Sequence, residues 1–156
     1  MTSVSVVAAG AEHAAVVGRL LHDFNTEFDS PTPDAHELAV RFARLLERDD
    51  VIVLLAGPAE SPSGFAFLTL RPTPYYDGPL AQLEELYVHP RERDHGMGTA
   101  LLRAAIQLVR ERGGAEMHIN VDEIDTDTRR FYERHGFTNI EPGTDYRMLC
   151  YLRELT

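Results

Sequence analysis

Apolar residues recur along this chain with two periods, and each change of period marks the edge of an element. Val4–Ala9 alternates with a period near two, which predicts a first strand. From Ala11 to Phe28 the period lengthens to that of a helix, and Val16, Val17, Leu20, Leu21 and Phe24 share one face. Ser30–Asp34 reads as a loop in which Thr32 caps a second helix and Pro33 takes its first position. That helix extends to about Arg48, with Leu38, Phe42 and Leu45 facing inward.

Val51–Ala56 and Gly64–Leu70 are apolar runs that predict the two strands of a hairpin, joined through Gly57–Ser63. Pro72–Pro79 is turn-rich, and Gln82–Val88 predicts the next strand. A long helix follows over Thr99–Arg112, with Thr99, Arg103, Gln107 and Arg110 on its polar stripe and Gly113 at its end. Met117–Val121 predicts a strand and Thr126–Arg134 a helix capped by Asp125. Phe137–Ile140 and Tyr146–Leu152 predict a closing pair of strands. The element order is β-α-α-β-β-β-α-β-α-β-β. No repeat or linker interrupts it, and residues 1–156 read as one domain.

Composition narrows the function. No apolar run approaches the roughly 20 residues that a membrane span needs. The first residues lack a basic segment and a cleavage site, so the cytoplasm is the expected compartment. The lone Cys150 has no partner for an internal disulfide, and its place in Met148–Leu152 predicts a buried strand residue. The net charge is −10 and all 15 cations are arginines. Such a surface repels nucleic acid and anionic membranes and tolerates cationic small molecules. The seven histidines lack zinc spacing, and Asp122–Asp127 lacks the glycine and terminal glutamate of a calcium loop, so no metal is expected.

The candidate chemistry lies in Leu83–Leu102, which reads as strand, turn and helix N-terminus. Unpaired N–H groups of a first helical turn and the helix dipole make an anion cradle there. Gly96 and Gly98 let the backbone approach a phosphate, and Arg93 brings a forked positive charge to the mouth. A Walker A loop is excluded because the chain has no lysine. A dinucleotide fingerprint fits poorly, since Leu101 stands where its third glycine belongs.

The run Arg93-Asp94-His95-Gly96-Met97-Gly98 resembles the Arg/Gln-x-x-Gly-x-Gly/Ala signature of the GCN5-related N-acetyltransferase (GNAT) superfamily. Downstream, Asp125–Phe137 is similar to that family's Asn-x-x-Ala-x-x-Phe-Tyr-x-x-x-Gly-Phe, with Asp125 and Thr128 departing from the usual Asn and Ala. The element order also matches, so the resemblance covers nearly the whole chain. It implies an α/β (α+β) GNAT fold with a mixed, mostly antiparallel sheet of six to seven strands flanked by four helices.

The resemblance also implies acetyl-CoA as cofactor and direct attack by an amine, with no acyl-enzyme. It implies that the backbone of Leu86, Tyr87 and Val88 pairs with the pantetheine arm. Arg93, Asp94, His95, Gly96, Met97, Gly98 and Thr99 would hold the pyrophosphate, with Asp125 and Thr128 in the second motif. Tyr132 stands where the family places the tyrosine that protonates the departing sulfur. Glu84 aligns with an acidic position that some members use as a base through water. Glu85, its neighbour, points to the opposite face of a regular strand. Phe24, Glu27, Phe28 and Tyr75 are weaker candidates for the acceptor wall, where Asp23, Asp29 and Tyr76 also fall.

The reading that follows is a cytoplasmic N-acetyltransferase for a small-molecule amine, with no nucleic-acid or membrane partner. A homodimer is left open. Two alternatives stand beside it: a protein or peptide N-acetyltransferase, and a non-catalytic acyl-CoA-binding module.

Overall fold

In the computed structural model, residues 3–156 are described. They fall into two compact units, a first that runs to His118 and a second, Ile119–Thr156. The elements are β1 (Val6–Ala8), α1 (Ala14–Glu27), α2 (Ala35–Leu45), β2 (Val51–Ala56), β3 (Gly64–Arg71), β4 (Leu80–Val88), α3 (Met97–Glu111), β5 (Glu116–Ile119) and α4 (Thr126–Arg134). Short 3-10 turns occupy Ala11–His13 and Pro90–Glu92.

The strands lie in the order β1-β2-β3-β4-β5, and the first three pairings are antiparallel. β4 and β5 are neighbours joined through α3, the long crossover that parallel strands require, and the sheet is mixed. Five strands stand among the described residues, not six or seven. Neither Phe137–Ile140 nor Tyr146–Leu152 forms a ladder, so the closing pair is absent. Cys150 is accordingly exposed rather than buried in a strand.

One layer of the core packs α1 and α2 on the sheet. Val17, Leu20, Leu21, Leu38 and Phe42 meet Val53, Leu55, Phe65 and Tyr87. The cross-strand partners Ala66 and Leu86 take the alternate face. Gly64 faces α3, where an added Cβ would come within 2.9 Å of Met97 Sδ and 3.2 Å of Leu101 Cδ1.

The predicted cap of α2 is corrected. Asp34, not Thr32, accepts the Glu37 N–H at 2.8 Å and starts the helix. Thr32 is used elsewhere: its hydroxyl accepts from Asn25 Nδ2 at 3.2 Å and donates to the Pro33 carbonyl at 2.8 Å. α2 also ends earlier, at Leu45 rather than Arg48, because Arg48 turns to fork its guanidinium onto Asp50.

In the second unit Asp125 caps α4 as expected, accepting the Thr128 N–H at 3.3 Å. Arg129 donates to the Glu123 carbonyl and Arg147 pairs with the Glu123 carboxylate. No helix is long and apolar enough to cross a membrane among the described residues.

α1 and α2 approach closely at Gly18, where a Cβ would lie 2.7 Å from Ala39 N and 3.0 Å from Ala35 O. Backbone cannot yield as a flexible side chain does. Gly18→Ala should therefore destabilise the protein by about 1–3 kcal/mol, outweighing the ~1 kcal/mol that alanine gains in helix propensity. Denaturant unfolding measures this, and an unchanged or higher midpoint would show that the helices are not held at that distance.

Candidate active site

The last turn of α1, the C-terminal half of β4 and the loop before α3 converge within the first unit. Phe24 stacks on Tyr87 with ring centroids 5.0 Å apart, and Phe28 meets Phe24 edge-on at 5.4 Å. The Arg93 guanidinium stands 5.8 Å from the centre of the Tyr87 ring and 6.0 Å from that of Phe28. Its two terminal nitrogens fork onto Glu27 at 2.7 and 2.8 Å, and its Nε donates to the Val88 carbonyl at 2.9 Å. A bidentate, half-buried pair of this kind fixes geometry as well as charge.

The Arg93 charge is thus matched by Glu27, and the guanidinium ties α1 to the loop before α3. There Gly96 takes a left-handed conformation (φ 83°) and offers no side-chain cap, and no acidic residue sits in the first turn. The N–H groups of Met97, Gly98 and Thr99 precede the first intrahelical bond, which runs from Ala100 N to Gly96 O at 3.0 Å. A Cβ on Gly96 would meet nothing within 4 Å, so the space over the turn is open. Asp94 is also left-handed (φ 64°), and with Gly96 it bends the chain sharply into the helix.

The carboxylates are sorted by an irregularity in β4. Phe67 pairs with Glu85 and Leu68 with Leu83, so Glu84 is the extra residue of a bulge. Glu84 is exposed and accepts the Thr69 hydroxyl at 2.7 Å. Glu85 is half-buried, on the face of its partner Phe67, whose ring packs edge-on against Phe42 at 5.4 Å. Burial, and then the neighbouring Glu84, push the Glu85 carboxyl up to about 7. Tyr87, two residues on and on the same face, also has a raised pKa, from burial first and then from Glu27 and Asp23, against an opposing effect of Arg93. The ring therefore sits in a net negative field from the end of α1.

A cavity of about 360 Å³ opens beside this cluster, lined by Arg19, Asp23, Ser63, His89, Arg91 and Glu92 among others. Tyr75 is not brought to the site. It lies 89 % exposed in the β3–β4 loop, whose Gly78 abuts Gly113 at the opposite end of α3 from Gly96. In the second unit Tyr132 is buried, with its ring edge-on to Phe131 and Phe137 at 5.2 and 5.5 Å. Asp125 spends its side chain on the cap, holding the Thr128 N–H.

Sequence reasoning missed the Glu27–Arg93 fork, which joins positions 66 residues apart. The structure leaves Glu84 exposed on Thr69 and Glu85 half-buried. Adjacent glutamates in an apolar strand were the available signal, but which of them turns inward depends on the bulge.

The first unit is an open-sheet α/β domain with an uncapped, glycine-bearing helix N-terminus after its fourth strand. The chain belongs to the Acetyltransferase (GNAT) family, whose profile matches residues 17–137. Members of the family generally use acetyl-CoA. The chain is 38% identical over 71 residues to a mycothiol acetyltransferase of Thermobispora bispora, a match covering 46% of this chain and 24% of that protein. It thus spans about a quarter of the length of that relative. It is 30% identical over 106 residues to an aminoglycoside N(6')-acetyltransferase type 1 of Klebsiella aerogenes, covering 67% and 70% of the two chains. A crystal structure from Arthrobacter sp. FB24, whose protein carries a provisional acetyltransferase assignment, superposes with a TM-score of 0.90 at 55% identity over 97% of this chain and 96% of its own.

The raised Glu85 carboxyl has a consequence for stability. A carboxyl whose pKa is higher in the folded than in the unfolded state favours its protonated form on folding. Its stabilising contribution is full below its ordinary value of 4.5 and is lost as pH rises through about 7. Glu85→Gln carries no charge to bury, so it should be more stable than the wild type above about pH 7 and gain little below about pH 4. Thermal unfolding across this range tests it, and parallel curves for the two proteins would mean that Glu85 is solvated.

Proposed function

We propose that this chain is an acetyl-CoA-dependent N-acetyltransferase, acting as one domain over residues 1–156 in the cytoplasm. It acetylates a primary amine of a small molecule by direct attack. One observation carries the reading: an uncapped α3 N-terminus stands at the end of the strand that presents a half-buried carboxyl beside an acidic, aromatic wall. The names of the relatives, a mycothiol and an aminoglycoside acetyltransferase, favour a small acceptor over a peptide.

The residues fit the cofactor. The N–H groups of Met97, Gly98 and Thr99 would take the pyrophosphate oxygens, and open space over Gly96 admits them. Leu86 and Tyr87 would offer backbone groups to the pantetheine arm, while the Val88 carbonyl is already shared with Arg93. Bound acetyl-CoA supplies an acetyl group activated as a thioester.

The protein's own groups manage protons and position. Asp23, with Glu27 already matched by Arg93, supplies the negative charge that draws a cationic amine, and Phe24 and Phe28 give it an apolar wall. The amine must lose a proton to become a nucleophile. Glu85 is the base of choice: with a pKa near 7 it accepts a proton at neutral pH and, being half-buried, it holds that proton out of bulk water. Glu84, occupied by Thr69 and exposed, steers the acceptor instead. Bound acetyl-CoA would offer its thioester carbonyl to the amine, and Tyr132, by its place in the second motif, is the candidate to give the departing sulfur a proton. The Tyr132 assignment is supported by its place in the second motif and by the family match that runs through it.

The cofactor reading is tested with Gly98→Asp, which sets a negative side chain against the phosphate. Calorimetry should show acetyl-CoA binding lost in a variant that still folds, and unchanged affinity would rule the cradle out. The roles of the acid and base are tested by pH profiles of kcat/KM on a panel of polyamines, amino acids, aminoglycosides and short peptides. The wild type should show an acidic limb near pH 7 that Glu85→Gln abolishes and Glu84→Gln retains. Tyr132→Phe should lower kcat by about 10²-fold with cofactor affinity intact. If Glu84→Gln alone removes the limb, the base is Glu84. If no member of the panel releases CoA, the chain is a binding module.

A further inference from the structure

The cavity of about 360 Å³ in the first unit is walled by α1, the β2–β3 loop and the turn after β4. Its volume falls within the range, about 300–1,000 Å³, of pockets that take small molecules. Two of its walls are tied together, since the His89 N–H donates to the Ser63 carbonyl at 2.7 Å. Four charged side chains line it: Arg19 and Asp23 from α1, and Arg91 and Glu92 from the turn. Arg19 and Asp23 stand four residues apart and share a helix face, the spacing at which opposite charges pair. They do not pair. Among the described residues, none of these four side chains makes an ion pair or a hydrogen bond, whereas Arg41, Arg48, Arg93, Arg130 and Arg147 each reach a carboxylate. His89 adds a donor: its Nδ1 accepts the Arg91 N–H at 3.2 Å, which leaves the ring proton on Nε2.

We infer that this cavity binds a small zwitterion, an amine that also carries an acidic group, and that the acceptor belongs to this amino-acid-like class. Charge selects the class. Two guanidiniums and two carboxylates cancel, so the cavity as a whole gathers neither a plain anion nor a plain cation. A molecule with both signs matches both halves. Its carboxylate or phosphate meets the forks of Arg19 and Arg91, planar donors suited to a pair of oxygens. Its ammonium meets Asp23. That residue also borders the aromatic wall, because its charge is among those that raise the Tyr87 phenol. Along α1 the order is Arg19, Asp23, Phe24, with Phe24 stacked on Tyr87. An acid end held at Arg19 therefore sets the amine end toward that wall. An acceptor with no acidic group leaves both forks unmatched.

This inference rests on the acetyltransferase reading above, and its test separates the two. Amines are compared in pairs that differ by the acidic group: L-lysine with cadaverine, L-histidine with histamine, phosphoethanolamine with ethanolamine. Each is titrated calorimetrically into the CoA-loaded protein, and kcat/KM is measured for acetyl transfer. The acidic member should be favoured by about 10–100-fold, the scale of a charged hydrogen-bonded contact. Arg19→Gln and Arg91→Gln should each bring that ratio toward one. Both side chains are exposed, so the variants should fold, and their unfolding midpoints check this. A wild-type ratio near one, binding of neither member of any pair, or a ratio that neither variant moves overturns the inference. So does a variant that instead erases a preference for CoA over 3′-dephospho-CoA, since the arginines would then hold the cofactor's phosphate. Binding of the acidic members without acetyl transfer upholds the zwitterion site and removes the function proposed for the chain.

Discussion

The bulge in β4 is the constraint on which the rest of the site depends. A regular strand would carry Leu83, Glu85 and Tyr87 on one face. Because Glu84 is the extra residue opposite the Phe67–Leu68 step, Leu83 stays with Leu68 while Glu85 joins Phe67 on the face covered by α1 and α2. Glu85 thus keeps the apolar face of Tyr87, while the inserted Glu84 stays in solvent on Thr69 and Leu83 crosses to the other face. The ordinary cost of burying a carboxylate then becomes a property of the site, since it is what lifts Glu85 to about 7.

The Glu27–Arg93 fork completes the arrangement from the other side. It joins the end of α1 to the loop that leads into α3, so both are tied to one pair of side chains. Arg93 also lies over Tyr87 and Phe28, and its Nε holds the last carbonyl of β4. With its charge matched, the N–H groups of the first turn of α3 are left as donors for the same reason that every helix begins with unpaired donors.

The two units differ in how they meet solvent. The first buries Phe42, Phe65, Leu55, Leu68, Leu83, Leu101 and Leu102 almost completely. The second keeps Tyr132 inside but exposes the apolar residues of its C-terminal segment. Hydrophobic pattern alone treats both segments as strands, because it registers which residues prefer burial and not whether a neighbour is present to bury them.

Much of this protein was legible in its sequence because the physics is local. Val51–Ala56 and Thr126–Arg134 appear with the bounds that periodicity predicted, the second because Asp125 caps three residues ahead of a free N–H. The helix that follows Gly96 was readable too, since a helix start and its flanking glycine lie within one turn of each other. Tertiary structure decided the rest. It gave the α2 cap to Asp34, because Thr32 was engaged by Asn25 from another element. It turned Arg93 from a free cation into a partner of Glu27, set Glu85 inward and Glu84 outward, and left Tyr146–Leu152 without a ladder. Each of these depends on which groups from distant parts of the chain arrive at the same place, and the chain's local pattern carries no record of that.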